Sequence, residues 1–146
     1  MKKSVIISEE RYRSIIEDQP DVIRRFLPDG TITFANDAYC NFFMRRKELL
    51  IGSNMYSLVT KDVEETIRHS LLVLTPQNPV ITHERFVKLR NGESRWVQWI
   101  DRAIFDENDQ VVEYQSTGRD ITDLKNIQQE LSRRNSELAA LNAIVN

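Results

Sequence analysis

The sequence has few of the residues that form covalent cross-links, metal clusters or phosphate-binding loops. Its 146 residues include one cysteine, four glycines and four prolines. The single Cys40 excludes an internal disulfide and a cysteine metal cluster, and it is interpreted as a small buried hydrophobic residue. Four glycines leave little room for a glycine-rich phosphate loop, so an enzyme that depends on such a loop is not expected.

An excess of charge of one sign is also lacking. Twenty lysines and arginines are balanced by 22 aspartates and glutamates, for a net charge of −2, so a nucleic-acid partner has no electrostatic support. The apolar run Val5-Ile6-Ile7 is far too short for a signal peptide or a membrane span. We therefore expect a soluble, cytoplasmic fragment without a membrane segment, although the full-length protein could still be membrane-tethered.

Catalytic patterns are missing as well. Neither His69 nor His83 has a serine or cysteine nucleophile in a supporting pattern nearby. Glu64-Glu65 is typical of a solvated helix face, and no pair of carboxylates stands in a recognisable catalytic setting. The chain also lacks an ATP-binding region, a cyclase motif and a phospho-acceptor histidine in a helical motif. We therefore do not expect it to be an enzyme.

A chain of this length can bury one sizeable core, and local patterns predict an ordered set of elements around it. Asn36 is predicted to cap a helix, and Asn91-Gly92 predicts a hairpin turn. The predicted elements are a helix from Ser8 to before Pro20, strands over 22–27 and 31–35, helices over 36–44, 47–50 and 61–74, and strands over 80–89, 93–105 and 111–118. This order predicts an α+β domain with one five-stranded antiparallel sheet and flanking short helices.

The strand predicted over 93–105 carries apolar side chains on both faces. Alternation places Trp96, Ile100 and Ile104 on one face and Val97, Trp99, Ala103 and Phe105 on the other. A sheet that is exposed on one side is normally polar there. One face is therefore expected to meet the central helices. The other is expected to be covered by the N-terminal helix, the C-terminal helix or a partner subunit.

A long polar helix is predicted near the end of the chain. Its apolar stripe has coiled-coil spacing, is interrupted by Arg134, and consists of Leu124, Ile127, Leu131, Leu138, Leu141 and Val145. A stripe this narrow favours burial against another helix, so we expect a parallel homodimer joined along this seam. The alternative is a helix that folds back onto its own domain.

Four short segments stand in an order that a known family shares. They are Phe34-Ala35-Asn36-Asp37-Ala38, Glu48-Leu49-Leu50-Ile51-Gly52, Leu89-Arg90-Asn91-Gly92-Glu93-Ser94-Arg95-Trp96-Val97 and Gly118-Arg119-Asp120-Ile121-Thr122-Asp123-Leu124-Lys125. The first two resemble the front half of a PAS domain, the third its PAC motif, and the last the segment that precedes signalling helices. The resemblance covers roughly residues 10–125. It divides the chain into a PAS/PAC domain over 8–121 and a signalling coiled-coil helix over 122–146.

The resemblance implies the PAS fold and a role in signal transduction. The expected function is a sensory and dimerisation module that relays a small-molecule or protein signal through its C-terminal helix. The output domain would lie outside this fragment, as in sensor histidine kinases and related bacterial sensors. The alternative is a ligand-free PAS domain with a filled core that serves as a structural interaction module. Asp120 and Thr122 are the candidate coupling residues, because either side chain can cap the helix that begins there.

The candidate ligand-pocket residues are the apolar side chains that face inward from the predicted hairpin and helices. They are Phe26, Phe34, Phe42, Met55 and Leu58. The same spacing is also typical of an ordinary core. The identity of any small-molecule ligand stays open at this point.

Cofactors and metals are not expected. Haem-binding PAS domains take an axial ligand from the middle helix, where His69 lies. Helical geometry, however, turns His69 away from the apolar face of Ile67 and Leu71, so haem is not expected. Residues 52–59 contain no photoactive cysteine, which argues against a flavin adduct. His83 is interpreted as an ordinary, partly exposed sheet residue.

Overall fold

Five antiparallel strands form a single sheet in the order β2-β1-β5-β4-β3. The structure, a computed structural model, describes residues 21–145, with the backbone only for Val145, so the helix predicted from Ser8 lies outside the described residues. The strands are β1 (Val22–Phe26), β2 (Ile32–Ala35), β3 (Val80–Lys88), β4 (Ser94–Phe105) and β5 (Val111–Asp120). The five-stranded antiparallel sheet predicted from the sequence is confirmed.

Short helices connect β2 to β3, and one long helix follows β5. They are α1 (Asp37–Phe43), α2 (Lys47–Leu50), a 3₁₀ turn (Met55–Leu58), α3 (Lys61–Leu71) and α4 (Thr122–Val145). The 3₁₀ turn is absent from the prediction. It begins at Asn54, whose side-chain oxygen accepts a hydrogen bond from the backbone N–H of Tyr56 and so caps the turn.

Helix α3 ends at Leu71 rather than at residue 74. After Leu71, the backbone N–H of Leu74 bonds to the carbonyl of Leu71, and Thr75 and Asn78 exchange two backbone hydrogen bonds. This turn stops the helix, yet it leaves Leu74 buried in the core. Leu74 therefore has the apolar spacing of the helix without belonging to it.

Asn36 fastens α1 to the edge of the sheet. Its side-chain oxygen accepts the backbone N–H of Tyr39 at 2.9 Å, which caps the helix as predicted. The same oxygen accepts the backbone N–H of Ile23 at 3.0 Å, and its amide donates to the carbonyl of Asp21 at 2.9 Å. One side chain thus holds α1 against β1 and fixes which face of that helix meets the core.

The core lies between the helices and one face of the sheet, here called the inner face. Its largest buried members are Val22, Phe26, Ile32, Tyr39, Leu50, Met55, Tyr56, Ile67, Leu71, Val97 and Trp99. Cys40 is buried among them, in agreement with its interpretation as a small hydrophobic residue. Gly118 of β5 faces Trp99, and a Cβ there would lie 2.7 Å from the indole ring. A larger residue at this position would displace the ring that β4 contributes to the core.

The opposite, outer face of β4 carries the apolar side chains that alternation predicts. Val97, Trp99 and Ala103 are buried on the inner face, whereas Trp96 is half-buried and Ile100 is 41% exposed on the outer face. The start of α4 contacts β4. The rest of this face therefore presents apolar surface that the described residues leave partly uncovered.

Candidate functional site

A large cavity lies between the inner face of the sheet and the helices α1 to α3. This open cavity has a volume of about 640 Å³, which is within the range of small-molecule sites. Its apolar walls include Tyr39, Phe43, Leu50, Met55, Leu58, Val59 and Val63, and its charged lining residues are Arg24, Arg45, Asp62, Arg85, Lys88 and Arg90. A smaller pocket of about 90 Å³ shares Arg24 and Arg85 with it and extends to His83, Asp101 and Ser116.

The five predicted pocket residues are divided among three places. Met55 and Leu58 line the large cavity, and Phe26 lines the smaller pocket. Phe42 packs edge-on against Phe43 at 5.0 Å between ring centroids and is not among the lining residues. Phe34 is 45% exposed and lies in a groove on the outer face. The assignment of Phe34 to an inner pocket is therefore corrected.

The outward position of Phe34 has a local cause. The pairing of β1 with β2 shifts register between Arg25 and Phe26, which is a β-bulge. The burial pattern of β2 accordingly runs buried, exposed, exposed, buried from Ile32 to Ala35. Strict alternation would have placed Phe34 on the same face as Ile32, and the bulge breaks that alternation.

Arg24 of β1 places a guanidinium group at the boundary between the two pockets. One terminal nitrogen donates to the hydroxyl of Tyr39 at 3.1 Å. The guanidinium carbon lies 5.1 Å from the ring of Trp99 and 5.5 Å from that of Phe26, distances at which a cation is attracted to an aromatic face. Its buried Nε has no hydrogen-bond acceptor within the described range. The guanidinium group of Arg24 is thus oriented by aromatic rings, and some of its N–H groups remain able to donate hydrogen bonds.

A second charged cluster crosses from β3 to β5 through β4. His83 Nε2 lies 2.6 Å from Asp101 Oδ2, and the hydroxyl of Ser116 donates to Asp101 Oδ1 at 2.6 Å. Arg85 Nε lies 3.2 Å from His83 Nδ1. Both carboxylate oxygens of Asp101 are therefore engaged, and Arg85 borders both pockets.

The electrostatics of this cluster follow from burial and its compensation. Burial alone would raise the pKa of Asp101, but hydrogen bonds from His83 and Ser116, with electrostatic attraction to His83 and Arg24, hold that pKa below its ordinary value. Burial lowers the pKa of Arg85; Asp101 opposes this shift and Arg24 adds to it. A guanidinium still remains protonated at neutral pH. The smaller pocket is therefore lined by two arginines and one carboxylate, Asp101, whose burial is compensated by hydrogen bonds.

Sequence reasoning missed this cluster. His83 is partly exposed, as expected, but it faces inward and contacts the buried Asp101. The available signal was the alternation that sets His83 and Arg85 on the same face as the apolar Ile81 and Val87. Polar side chains on a core-facing register predict either a buried network or a ligand site.

The start of α4 is hydrogen-bonded to β4. The hydroxyl of Thr122 accepts the backbone N–H of Trp96 at 2.9 Å and donates to Asp120 Oδ1 at 2.6 Å. Asp120 Oδ1 also accepts the backbone N–H of Thr122 at 2.9 Å. On the same β4 residue, the carbonyl of Trp96 accepts the N–H of Ile121 at 2.8 Å. Asp120 therefore satisfies an N–H at the helix start, whereas the Thr122 side chain joins the helix to the sheet.

Lys125 is a further contact of this junction that the sequence reasoning missed. Its ammonium group forms an ion pair with Glu84 of β3 and lies 5.1 Å from the centre of the Trp96 ring. The first turn of α4 thus rests on the outer face of the sheet. Ile121, immediately before the helix, is buried and anchors the same junction.

The apolar seam of α4 faces away from its own domain. Its described members Leu124, Ile127, Leu131, Leu138 and Leu141 are each between 52% and 59% exposed. Arg134 on the same stripe pairs with Glu130 of its own helix at 3.0 Å. The structure thus shows no fold-back of α4 onto residues 21–121. The side chain of Val145, the last predicted seam residue, is not described.

Other site types find no support in residues 21–145. His69 is exposed on α3 and does not line the cavity. No group of three or more His, Cys, Asp or Glu side chains in that range could hold a metal ion. None of the helices in the described part of the chain combines the length and the apolar character that crossing a bilayer requires.

Known proteins share both the sequence pattern and the fold. The two-component sensor PprA of Pseudomonas aeruginosa is 28% identical over 138 residues, which is 94% of this chain but 15% of that sensor's length. A sensory box histidine kinase/response regulator from Burkholderia thailandensis superposes with a TM-score of 0.66 at 17% identity, covering 89% of this chain and 98% of that one. A PAS domain from Colwellia psychrerythraea superposes with a TM-score of 0.62 at 23% identity, covering 80% and 98%.

The family assignment combines these similarities with the profile of one domain type. The profile described as PAS domain matches residues 25–123, which is more than half of the chain. The matched segment begins in β1 and ends in the first turn of α4, so it contains the lining of the cavity apart from Arg24 and the contact of Thr122 with β4. This chain belongs to the PAS domain family.

Proposed function

We propose that this PAS domain is a sensory module that converts the binding of a ligand in its large cavity, called the inner cavity from here on, into a change at the start of α4. The observation that carries the proposal is the hydrogen bond from the backbone N–H of Trp96 to the hydroxyl of Thr122. Trp96 lies on β4 three residues before Trp99, whose ring contacts Arg24 at the boundary of the two pockets. A shift of β4 on ligand binding would therefore move the anchor of α4.

The output in this proposal is a domain outside the 146 residues. Similarity to a two-component sensor, of which the chain spans 15%, supports a place within a longer signalling protein. In that arrangement the fragment is a non-catalytic input module. It works in the cytoplasm, where a kinase domain finds its ATP.

The proposed state of the module is a parallel homodimer. The exposed seam of α4 supports it, since five apolar side chains at coiled-coil spacing remain open to solvent in a single chain. Two parallel helices would carry a movement of both junctions in the same direction. A downstream domain attached to both helices would receive one combined signal.

The size of the cavity favours sensing over the alternative of a ligand-free interaction domain. A ligand-free core needs no such space, whereas the open cleft of about 640 Å³ between the helices and the sheet is within the range of small-molecule sites. Native mass spectrometry of the purified chain separates the two functions. A co-purifying small molecule is expected for a sensor, and a chain that binds no small molecule at all would favour the interaction domain.

The relay itself can be tested by fusing residues 1–146, in continuous heptad register, to the catalytic half of a dimeric histidine kinase. Thr122→Val removes the anchor of α4, and we expect it to change the rate of autophosphorylation. Thr117→Val is the control, because Thr117 pairs with the outward-facing Ile100 on β4 and lies in the strand rather than at the junction. Equal rates in the parent and in both variants would contradict the relay.

A further inference from the structure

We propose that the ligand of the inner cavity is an amphipathic organic anion, with an apolar body and a carboxylate or similar group that Arg24 and Arg85 bind. This inference rests on the proposed sensory function, because it names the ligand class of the same cavity. It comes from the charge of the lining, the position of two arginines and the apolar walls around them.

The lining is strongly cationic in a chain that is almost neutral. The cavity lining includes four arginines (Arg24, Arg45, Arg85 and Arg90) and the exposed Lys88, against a single acidic residue, Asp62. The net charge of the whole chain is −2. This concentration of positive charge in one concave site favours an anion over a neutral or cationic ligand.

The two inner arginines have no carboxylate partner of their own within residues 21–145. No acidic oxygen there lies within 4.0 Å of Arg24 or Arg85, whereas other lysines and arginines form nine ion pairs with carboxylates. The nearby Asp101 already accepts hydrogen bonds from His83 and Ser116 on its two oxygens. An anion in the cavity would supply the missing acceptors.

Arg24 is oriented before any ligand arrives. The rings of Phe26, Tyr39 and Trp99 lie 5.1–5.8 Å from its guanidinium carbon, and Tyr39 accepts one of its five N–H groups. Its Nε is buried without an acceptor in the described chain. The N–H groups that Tyr39 does not accept leave the guanidinium able to donate to an anionic oxygen, and its planar geometry suits a carboxylate.

The remaining walls suit an apolar body. Phe43, Met55, Leu58 and Val63 are apolar members of the same lining. A volume of about 640 Å³ accommodates a ligand far larger than an inorganic ion. An aliphatic or aromatic carboxylate would contact both the charged and the apolar lining residues, whereas phosphate or sulfate would leave the apolar ones without a partner.

The test uses two fluorescent probes that share their aromatic rings and differ in charge. Anilinonaphthalene sulfonate is an anion, and phenylnaphthylamine is its uncharged counterpart. We expect one equivalent of the sulfonate to bind the full 146-residue chain roughly 10-fold or more tightly than the neutral probe. Octanoate should displace it, and octylamine should not. Displacement by octanoate would also show that the site binds a carboxylate and not only a sulfonate.

Arginine variants locate the binding site. Arg24→Gln and Arg85→Gln should weaken binding of the sulfonate by roughly 10- to 100-fold, as expected for loss of a hydrogen bond to a charged group, and should leave the neutral probe almost unaffected. Arg102→Gln removes an exposed arginine from the outer face and is the matched control. Arg24→Lys, which retains the charge, should bind with intermediate affinity, and near-ultraviolet circular dichroism checks that each variant is folded.

The outcomes distinguish this inference from the function on which it rests. Equal affinity for both probes, unchanged by Arg24→Gln and Arg85→Gln, would overturn the anionic ligand while leaving a ligand-binding cavity. Failure of both probes and of octanoate to bind would overturn it as well. Anion selectivity that depends on Arg24, in a kinase fusion whose activity ignores Thr122→Val, would support the ligand class and contradict the relay.

Discussion

The backbone N–H of Trp96 donates a hydrogen bond of 2.9 Å to the hydroxyl of Thr122, and this bond joins β4 directly to α4. The carbonyl of the same tryptophan accepts the N–H of Ile121. Both backbone groups of one β4 residue are thus used to hold the start of the helix. The ladder position that β5 would fill beyond Asp120 is taken by the beginning of α4.

Replacing Thr122 by valine should loosen this junction. Thr122→Val keeps the shape of the side chain but removes the acceptor for Trp96 and the donor for Asp120, so we expect a loss of about 1–3 kcal/mol in the free energy of unfolding. Urea denaturation measures that loss. Hydrogen exchange should also be faster at the N–H of Trp96. Thr122→Ser, which keeps the hydroxyl, is the control, and equal stability of the two variants would show that the hydrogen bond contributes nothing.

The two tryptophans of β4 should differ in their contribution to stability. Trp99 is 4% exposed and packs against Arg24 and Gly118 on the inner face. Trp99→Ala should therefore lower the free energy of unfolding by about 3–5 kcal/mol, the range for deletion of a buried aromatic side chain. Trp96→Ala should have a clearly smaller effect, because its ring is half-buried and contacts mainly Lys125 and Phe86. Similar losses in both variants would mean that the outer face is covered as completely as the inner one.

Removing Ser116 should make the fold more sensitive to acid. The pKa of Asp101 is lowered in the folded chain, because hydrogen bonds and positive charge outweigh the effect of burial. Its ionised form therefore stabilises the fold above the unfolded-state pKa of about 4, and that contribution is lost as the pH falls through the folded-state pKa. Ser116→Ala removes one of these hydrogen bonds, so the folded-state pKa should rise towards its ordinary value.

The midpoint of acid unfolding in Ser116→Ala should consequently move to higher pH, because the lost hydrogen bond stabilises the fold by about 1–3 kcal/mol. Circular dichroism between pH 2 and pH 7 measures this midpoint. Ser132→Ala, an exposed position on α4, is the matched control. An identical midpoint in parent and both variants would show that Ser116 does not stabilise the ionised Asp101.

Local signals predicted the elements well but could not predict which distant residues meet. Asn91-Gly92 lies in the turn between β3 and β4, where Gly92 has a φ of 90° that favours glycine. Asn36 caps α1 because its short side chain can accept a backbone N–H of the first helical turn, which otherwise has no partner. By contrast, His83 and Asp101 are 18 residues apart, and only the pairing register of β3 with β4 brings them into contact.

The misplacement of Phe34 has the same origin. Alternation predicts sidedness only while the register is continuous, and the shift between Arg25 and Phe26 interrupts it without any glycine or proline in β2 to mark the place. Lys125 was missed for a related reason. Its partners Glu84 and Trp96 belong to two different strands, β3 and β4. The contact of Lys125 with them therefore depends on where α4 leaves the sheet.

The last prediction concerns the seam of α4. If two chains pair along it, Leu131→Glu places a charge in each apolar interface, which is costly without a partner, and the dissociation constant of the dimer should increase by at least about 10-fold. Arg134→Leu should tighten the dimer, because it replaces the one charged residue of the stripe. Gln129→Glu adds the same charge opposite the seam and is the matched control for Leu131→Glu.

Sedimentation equilibrium measures the affinity of the dimer in the parent and the three variants. We expect Arg134→Leu to dimerise most tightly, the parent and Gln129→Glu equally and less tightly, and Leu131→Glu most weakly. The stripe spans about three heptads, which is marginal for an isolated coiled coil, so the order of the variants carries more weight than the absolute affinity. A parent that stays monomeric at high concentration, with Leu131→Glu unchanged from it, would rule out the coiled-coil dimer. In that case the exposed leucines would have to meet a partner other than a second copy of this chain.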